Sequence, residues 1–324
     1  MMHALVNTAS GILELQQLPV PDPGEGQVRI RTLACGICAT DLEMLAGWDR
    51  TGFPAIPGHE WCGMVDAVGL GVPADLVGQP CVGDNVLPDG GEVGFEHPGG
   101  YAEYFLTQAA NLRCLPAGTS PTTATLIEPL AVCLRGLGRL RPFAPRRTLA
   151  VGDGTIGLLM TILLLAEGAE ELTVVGGVTE RLAMARELGA SHALGYRTPD
   201  LVAQLGNHFS TVIEASGTTD GMQTALACAA NEAKILILGD YADARADLRW
   251  NELLHRELQL VGSNAGTGAW DEAVEFFAKA GERIGRLVTH TVPYHEYPRA
   301  LDLARTRRDG AVRVVLTWPS PTSA

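Results

Sequence analysis

The sequence predicts an α/β protein in which a mainly-β domain is interrupted by a doubly wound parallel-sheet domain. Residues 1–128 alternate short apolar runs such as VRIRTLACGI with Gly/Pro turns such as FPAIPGHE, a pattern typical of short strands joined by tight turns. Residues 129–265 repeat strand, glycine turn and long helix, which indicates βαβ units over a parallel sheet. Residues 266–324 carry a helix in DEAVEFFAKAG and a last strand in VRVVLTW, and we expect them to rejoin the first domain.

Within the second domain, the strands are assigned to the apolar runs TLAV, ELTVV, TVIEAS, KILILGD and LQLVGS. The runs IGLLMTILLLAE and ERLAMARELGA carry helical periodicity and good helix formers. The longest apolar stretch, Ile156 to Ala166, is too short to span a bilayer, and the N-terminus lacks the pattern of a secretion signal. We therefore expect a cytoplasmic protein.

Composition and charge limit the partners that this chain can have. With 324 residues, 46% apolar and 19% charged, the chain is long enough for two domains with their own cores. A formal net charge of −13 argues against nucleic acid or an anionic membrane as partner, because both require a basic face. The chain has seven cysteines, an odd number, and no secretion signal, which argues against a disulfide framework. We expect these cysteines to be free thiols or metal ligands. We expect a small-molecule substrate.

A glycine turn stands between the first strand and helix of the second domain, in the run VGDGTIG. Gly152 permits the tight turn, Gly154 lets the backbone approach a pyrophosphate, and Gly157 lets the helix pack on the strand. Thr155 and Ile156 open the helix, whose N-terminus favours an anion, and we expect both to contact the cofactor. The turn predicts a dinucleotide site.

The end of the next strand bears on which dinucleotide binds. An NAD site usually carries Asp or Glu there to accept hydrogen bonds from the ribose 2′-OH, but this chain has Gly176. Without that carboxylate a 2′-phosphate is not repelled, which slightly favours NADP over NAD. Arg181 is the nearby cation that would receive the phosphate, although a solvated helix arginine is an equally good interpretation.

Three residues far apart in the chain are candidate metal ligands: Cys38, His59 and Glu128. Cys38 lies in ACGICATD at the end of a strand, and the neighbouring Asp41 is a natural acceptor for the second N–H of a ligand histidine. Cys35 and Cys38 also form a C-x-x-C pair, which elsewhere indicates redox chemistry, but no thioredoxin-like βαβ unit surrounds it.

His59 lies in the turn PGHE, beside Glu60, where glycine lets the backbone bend and the imidazole project. Glu128 begins the run EPLAV amid apolar residues, where burial of a carboxylate is costly unless it meets a cation. The alternative for Glu128 is a carboxylate that stabilises a helix N-terminus. Three protein ligands leave a fourth position open for water or substrate, which distinguishes a catalytic zinc from a structural one. This interpretation makes the protein an enzyme.

These motifs together resemble the zinc-dependent medium-chain dehydrogenase/reductase superfamily. The resemblance covers the whole chain through the runs GICATD, PGHEWCG, GGYAEY, IEPLAV, VGDGTIG, EASG and DGAVRVVL. It implies a GroES-like catalytic domain, a Rossmann domain and a zinc ion on Cys38, His59 and Glu128, with Glu60 close enough to approach the metal. It further implies that Arg313 reaches the pyrophosphate held by the glycine turn. The expected lining of the nicotinamide side is Ala215, Ser216, Gly239 and Ser263.

Two departures from the family narrow the expectation. Residues 82–100 lack the four closely spaced cysteines of a structural zinc lobe, so we predict one catalytic zinc and no structural zinc. Glu128 stands where ethanol-type enzymes use cysteine, which resembles the sorbitol, threonine and polyol branch. The resemblance therefore implies oxidation of a secondary alcohol, such as a polyol, cyclitol or sugar-like alcohol, to a ketone, or the reverse reduction.

The resemblance also suggests a proton path. Thr40, two residues after Cys38, corresponds to the first hydroxyl of the family relay; the alternative is a hydroxyl that bonds its own backbone. Many relatives continue the relay with a histidine, but this chain has Glu43, a poorer proton shuttle near neutral pH. His97 is a candidate for the mouth of the site, and Trp48 either walls the substrate or packs the domain.

Two further expectations concern class and assembly. The same fold can serve a zinc-independent quinone-reductase-like enzyme or a non-catalytic dinucleotide-binding protein, and metal analysis separates these from a zinc dehydrogenase. The strand LQLVGS would be an exposed sheet edge, and relatives cover this edge by pairing subunits. A homodimer or homotetramer is expected.

Overall fold

The chain forms two compact units in the computed structural model, which describes residues 1–242, 244–245 and 248–319. The first unit comprises Met1–Glu128 and the described part of Trp270–Ala324, and the second comprises Pro129–Ala269. The chain therefore leaves the first unit after Glu128 and returns to it at Trp270.

The elements follow one another as strands in the first unit and as alternating strands and helices in the second. The first unit begins with β1 (Met2–Ala9), β2 (Ile12–Leu18), β3 (Gln27–Gly36), α1 (Ala39–Ala46), β4 (Trp61–Val68), β5 (Pro80–Gly83), β6 (Tyr104–Gln108), β7 (Leu112–Cys114) and α2 (Pro121–Ala124). Next come α3 (Ile127–Leu140), β8 (Arg147–Val151), α4 (Thr155–Ala166), β9 (Glu171–Gly176), α5 (Thr179–Glu187), β10 (His192–Gly195), α6 (Leu201–Leu205), β11 (Phe209–Glu214), α7 (Thr219–Cys228), β12 (Ala229–Ile237), α8 (Trp250–Arg256) and β13 (Gln259–Gly262). The chain ends with α9 (Trp270–Gly285), β14 (Val288–Pro293), α10 (Tyr297–Thr306) and β15 (Arg313–Thr317).

A largely antiparallel sheet forms the centre of the first unit. Its strands lie in the order β14-β15-β3-β4-β5-β7, with β6 pairing on β3, while β1 and β2 form a separate hairpin. In β3, Val28, Ile30 and Thr32 are buried and alternate with the partly exposed Arg29 and Arg31, as a half-buried strand requires. Beyond Thr32 both faces of β3 are buried. The carboxyl end of this strand therefore enters the interior, where the candidate ligand Cys38 follows it.

The second unit is a wholly parallel sheet of six strands in the order β10-β9-β8-β11-β12-β13. In order of appearance this is 3-2-1-4-5-6, the order of a Rossmann fold, whose ligands bind outside the carboxyl ends of the strands where the order reverses. That point lies between β8 and β11, and the turn VGDGTIG follows β8 there. The predicted α/β class with a doubly wound sheet is confirmed.

Two details of the second unit depend on tertiary context. The sequence analysis missed β10, whose four residues HALG are too few to show a period. The run LQLVGS forms β13 at one end of the sheet, and its residues are largely exposed. Among the described residues, no helix is long and apolar enough to cross a membrane.

Candidate functional site

The side chains of Cys38, His59 and Glu60 meet in the first unit, with one ligand atom from each lying within 4.8 Å of the others. Cys38 follows β3, and His59 and Glu60 precede β4. The two strands are antiparallel neighbours with Cys35 opposite Trp61, so the ends that carry these residues lie side by side. Sheet pairing thus joins residues that are far apart in the sequence.

Cys38 is the residue that immediately precedes α1, at the N-terminus of that helix. The Asp41 carboxylate accepts a hydrogen bond of 2.8 Å from the Cys38 backbone N–H, and the Thr40 hydroxyl lies 3.6 Å from the Cys38 sulfur. Cys38 is half-buried, whereas Asp41 is fully buried. The structure thus brings Thr40, the predicted first relay group, into contact with the predicted sulfur ligand.

His59 is a buried imidazole held on several sides. Its Nδ1 lies 3.3 Å from Asp41 Oδ1, its ring contacts Phe95 at a centroid distance of 4.7 Å, and its carbonyl accepts from Asn85 Nδ2 at 2.8 Å. Burial lowers the pKa of His59, but Asp41 and Cys38 outweigh it and raise the pKa well above its usual value. Because a ligand imidazole is neutral, metal binding here displaces a proton.

Glu60 forms a buried ion pair with Arg313, whose Nη1 lies 2.5 Å from Glu60 Oε2. Arg313 Nη1 also donates to the Ile37 carbonyl at 2.9 Å. Burial raises the pKa of Glu60, and Arg313 offsets only part of that rise. A Cβ atom at Gly36 would lie 2.4 Å from Glu60 Oε2, so only glycine fits beside this carboxylate. Arg313 is therefore a partner of Glu60, and its expected contact with a pyrophosphate stays a prediction.

Glu128 lies outside the group of three. It is half-buried in the first turn of α3, and burial raises its pKa to about 7 while His59 lowers it and Glu60 raises it further. This electrostatic coupling indicates that Glu128 lies near the group without joining it. The sequence analysis ranked Glu128 above Glu60 as the carboxylate ligand, whereas the structure places Glu60 with Cys38 and His59 because it directly follows His59 in the chain.

Tight glycine packing shapes the loop that carries His59. Gly58 has φ +104°, and a Cβ there would lie 2.6 Å from the Tyr101 ring. A Cβ at Gly94 or Gly99 would lie within 2.6 Å of the Gly58 backbone. The Tyr101 hydroxyl donates to Asp41 Oδ2 at 3.4 Å. Tyr101 and Phe95 were missed by the sequence analysis; the glycines of PGHE and GGY were the available signal, since glycines mark close backbone approach.

Four other residues considered in the sequence analysis have surroundings that differ from those of a catalytic group. Cys35 is fully buried, which raises the pKa of its thiol well above the usual value and leaves it a neutral core residue. Trp48 packs edge-on against Phe95 at 6.2 Å, which supports the packing interpretation. His97 Nε2 pairs with Asp89 Oδ2 at 2.9 Å and lines a separate cavity of about 510 Å³. Glu43 is exposed on α1.

In the second unit, two of the three glycines of the turn VGDGTIG are required by close backbone packing, and the third faces open space. A Cβ at Gly152, which has φ +126°, would lie 2.7 Å from the Ala215 carbonyl, and one at Gly157 would lie 1.9 Å from the Gly152 oxygen. Gly154 has no atom within 4 Å of such a Cβ. The space in front of Gly154 and the N-terminus of α4, which starts at Thr155 and Ile156, is open to an anion.

Asp153, between the first two glycines, fills the space beside Gly176 at the end of β9. A Cβ at Gly176 would lie 2.4–2.5 Å from three atoms of the Asp153 side chain. Asp153 Oδ2 accepts 2.7 Å hydrogen bonds from the backbone N–H groups of Gly177 and Val178. A carboxylate is therefore present where the sequence analysis expected none.

The other predicted cofactor residues lie at the carboxyl ends of the parallel strands, apart from Arg181, which is buried on α5. Ala215 and Ser216 follow β11, Gly239 follows β12 and Ser263 follows β13. Glu214 holds this region, because its carboxylate accepts from the Ser216 N–H at 2.9 Å and from the Ser216 and Tyr241 hydroxyls. The sequence analysis missed the roles of Glu214 and Tyr241.

The two sets of residues fit the two groups that they were predicted to hold. A thiolate, an imidazole and a carboxylate, with Asp41 behind the imidazole, form a donor set suited to zinc. The open approach at Gly154, beside glycines that tolerate no side chain, suits a pyrophosphate.

Two family models match this chain, one in each unit. Residues 24–117 match the alcohol dehydrogenase GroES-like domain, and residues 155–279 match the zinc-binding dehydrogenase family. D-altritol 5-dehydrogenase of Agrobacterium fabrum is 31% identical over 318 residues, which cover 91% of this chain and 94% of the relative. Galactitol 1-phosphate 5-dehydrogenase of Escherichia coli is 25% identical over 345 residues, covering 97% of this chain and 100% of the relative.

Solved structures share the fold along nearly the whole chain. An alcohol dehydrogenase of Escherichia coli CFT073 complexed with NADH superposes with a TM-score of 0.90 at 24% identity, covering 98% of this chain and 99% of the other. Galactitol-1-phosphate dehydrogenase of Escherichia coli superposes with a TM-score of 0.88 at 23% identity, covering 98% and 100%. By its sequence matches, this chain belongs to the zinc-dependent medium-chain dehydrogenase/reductase superfamily, a family of oxidoreductases.

Proposed function

We propose that this protein is a zinc-dependent, NAD(P)-linked dehydrogenase that oxidises a secondary alcohol to a ketone or catalyses the reverse reduction. The observation that carries the proposal is the group formed by Cys38, His59 and Glu60 at the end of β3. A zinc-independent reductase or a non-catalytic dinucleotide-binding protein has no need of a thiolate and an imidazole meeting around a buried acceptor such as Asp41.

Cys38 and His59 would hold one zinc ion, with Glu128 or Glu60 as the third protein ligand. Bound zinc supplies Lewis acidity that lowers the pKa of an alcohol. Asp41 Oδ1 lies 3.3 Å from His59 Nδ1, so Nε2 would be the imidazole atom available to a metal ion. Arg313 neutralises Glu60, so the buried site does not accumulate an uncompensated negative charge.

The proton of the alcohol needs a path to solvent. Thr40 is the first group proposed for that path, because its hydroxyl lies 3.6 Å from the Cys38 sulfur and it is partly exposed. A hydroxyl both donates and accepts, so it passes a proton without holding a charge.

The hydride acceptor is a nicotinamide dinucleotide, which carries the redox chemistry. In the second unit Gly152, Gly154 and Gly157 would receive its pyrophosphate, with Thr155 and Ile156 at the start of α4. The residues proposed to line its nicotinamide half are Ala215, Ser216, Gly239 and Ser263.

The substrate class proposed is a polyol, cyclitol or sugar-like secondary alcohol. The relatives with sugar-alcohol names support this class, among them D-altritol 5-dehydrogenase at 31% identity. We further propose a homodimer or homotetramer formed across the exposed edge strand β13.

A panel of secondary alcohols and polyols, assayed for reduced cofactor with NAD⁺ and NADP⁺ in parallel, tests the proposal. Polyols are expected to be oxidised, and treatment with a chelator is expected to abolish turnover until zinc is restored. Turnover that survives complete removal of zinc would instead support the zinc-independent reductase.

A further inference from the structure

The Asp153 side chain reaches out of the glycine turn to the end of β9, where Rossmann enzymes recognise the adenosine ribose. In an NAD site an acidic side chain at the end of that strand accepts hydrogen bonds from the ribose hydroxyls. Here that residue is Gly176, and the volume that its side chain would occupy holds the Asp153 carboxylate. The glycine and the aspartate are therefore spatially complementary, because a side chain at position 176 would clash with Asp153.

The Asp153 carboxylate also occupies the backbone N–H groups that would otherwise bind a phosphate. Backbone N–H groups at the start of a helix bind anions, and those of Gly177 and Val178 lie immediately before α5. Both already donate to Asp153 Oδ2 at 2.7 Å. A 2′-phosphate placed here would meet a carboxylate and would find these two donors occupied, whereas a 2′-hydroxyl would find an acceptor.

We propose that Asp153 is the specificity residue that makes this site select NAD over NADP, supplying from the glycine turn the carboxylate that Gly176 lacks. This inference rests on the proposed dinucleotide function, and it reverses the slight preference for NADP expected from Gly176 alone. The glycine pattern alone does not predict this role, because the residue between the first two glycines has no fixed side-chain function in the motif.

Direct binding tests the inference without turnover. Dissociation constants for NAD⁺ and NADP⁺ are measured by isothermal titration calorimetry on the zinc-loaded full-length protein, the variants Asp153→Ser and Asp153→Asn, and the control Glu180→Gln. Glu180 is an exposed acid in the first turn of α5, so the control removes a nearby negative charge but leaves the Asp153 contacts intact.

The wild type is expected to bind NAD⁺ at least about tenfold more tightly than NADP⁺, because the Asp153 carboxylate repels the like charge of a 2′-phosphate. Asp153→Ser should reduce that ratio at least about tenfold by removing the charge and freeing the two N–H groups, and Asp153→Asn should give an intermediate ratio. Glu180→Gln should keep the wild-type ratio within about twofold, since its charge is exposed and screened.

Wild-type protein that binds NADP⁺ as tightly as NAD⁺ would overturn the inference, whether or not the variants fold. An unchanged ratio in Asp153→Ser with a native circular dichroism spectrum would also overturn it. Failure of the proposed dinucleotide function would give a different result, because neither NAD⁺ nor NADP⁺ would then bind to the wild type.

Discussion

Two regions of the molecule are built in opposite ways: the group of Cys38, His59 and Glu60 in the first unit, here called the metal group, and the glycine turn VGDGTIG in the second unit. The metal group concentrates buried polar groups: Cys38, His59 and Glu60 meet where Asp41 lies beside the imidazole and Arg313 pairs with the Glu60 carboxylate. The glycine turn works through missing side chains, since Cβ atoms at two of its positions would collide with backbone. The first site therefore depends on electrostatic balance between distant parts of the chain, and the second depends on local steric clearance.

A single added methyl group should disrupt the glycine turn more than any comparable change disrupts the metal group. In Gly157→Ala the new Cβ would lie 1.9 Å from the Gly152 oxygen, so the turn cannot keep its conformation. We expect dinucleotide affinity to fall by about 100-fold or more, together with a clear drop in melting temperature. Calorimetry and thermal circular dichroism measure the two effects.

Gly154→Ala is the matched control, because no atom lies within 4 Å of a Cβ at that position. Its melting temperature should stay within about 5 °C of wild type, while a methyl group facing the pyrophosphate weakens binding. Equal melting temperatures for the two variants would contradict the steric account of the turn.

Charge compensation should dominate the stability of the metal group. Arg313→Met leaves Glu60 buried without its partner, and we expect the free energy of unfolding in urea to fall by about 3–5 kcal/mol. The double variant Glu60→Gln with Arg313→Met contains no unpaired charge and should recover a large part of that loss. A single variant as stable as wild type would show that the ion pair does not balance the site.

The pH dependence of the zinc-free protein should show the burial of Glu128. Its pKa in the folded chain is about 7 against an ordinary value of 4.5, so the unfolded chain loses this proton first as pH rises. The Glu128 contribution therefore lowers the free energy of unfolding between about pH 4.5 and pH 7, by up to about 3 kcal/mol. Urea unfolding in the presence of a chelator gives the free energy of unfolding of wild type and of Glu128→Gln at each pH. The difference between the two curves is the Glu128 contribution.

Zinc should abolish that fall between about pH 4.5 and pH 7 if Glu128 is a ligand, because ligation requires the ionised carboxylate and moves its folded-state titration below the unfolded pKa. The same titration of zinc-loaded protein thus decides between Glu128 and Glu60 as third ligand. If the two zinc-free proteins instead had parallel pH profiles, Glu128 would not be the buried carboxyl that its surroundings indicate.

Substitution of the first hydroxyl of the proposed proton path should give the smallest of these effects. Thr40→Val removes the hydroxyl near the Cys38 sulfur, and we expect kcat to fall by about 100-fold with the zinc content unchanged. Thr40→Ser keeps a hydroxyl and should retain most of the activity. Full activity in Thr40→Val would place the proton path elsewhere.

The two sites also differ in how far the sequence predicted them. The glycine turn is local, so its residues, the strand before it and the helix after it were all predicted from one short run. In the metal group, Cys38 and His59 were recognisable from their own motifs. The pairing of Glu60 with Arg313 was not, because it joins residues 253 positions apart through sheet pairing that no local pattern encodes.

The remaining misses have similar physical causes. The strand β10 is too short to show periodicity, and Asp153 acts on a strand end 23 residues away. The choice of Glu128 over Glu60 as third ligand stays a prediction, made because a glutamate before proline in an apolar run is conspicuous in the sequence, whereas one beside a histidine is ordinary. Which carboxylate enters the group depends on the path of the backbone.

The zinc content of the purified protein tests the central claim most directly. Metal analysis should find about one zinc ion per chain in the wild type, less than about a tenth in Cys38→Ser, and about one in Cys114→Ser, whose thiol is exposed in β7. A catalytically active wild type without zinc, or a Cys38→Ser variant that keeps its full zinc content, would contradict the assignment of Cys38 and His59 as the core of a catalytic metal site.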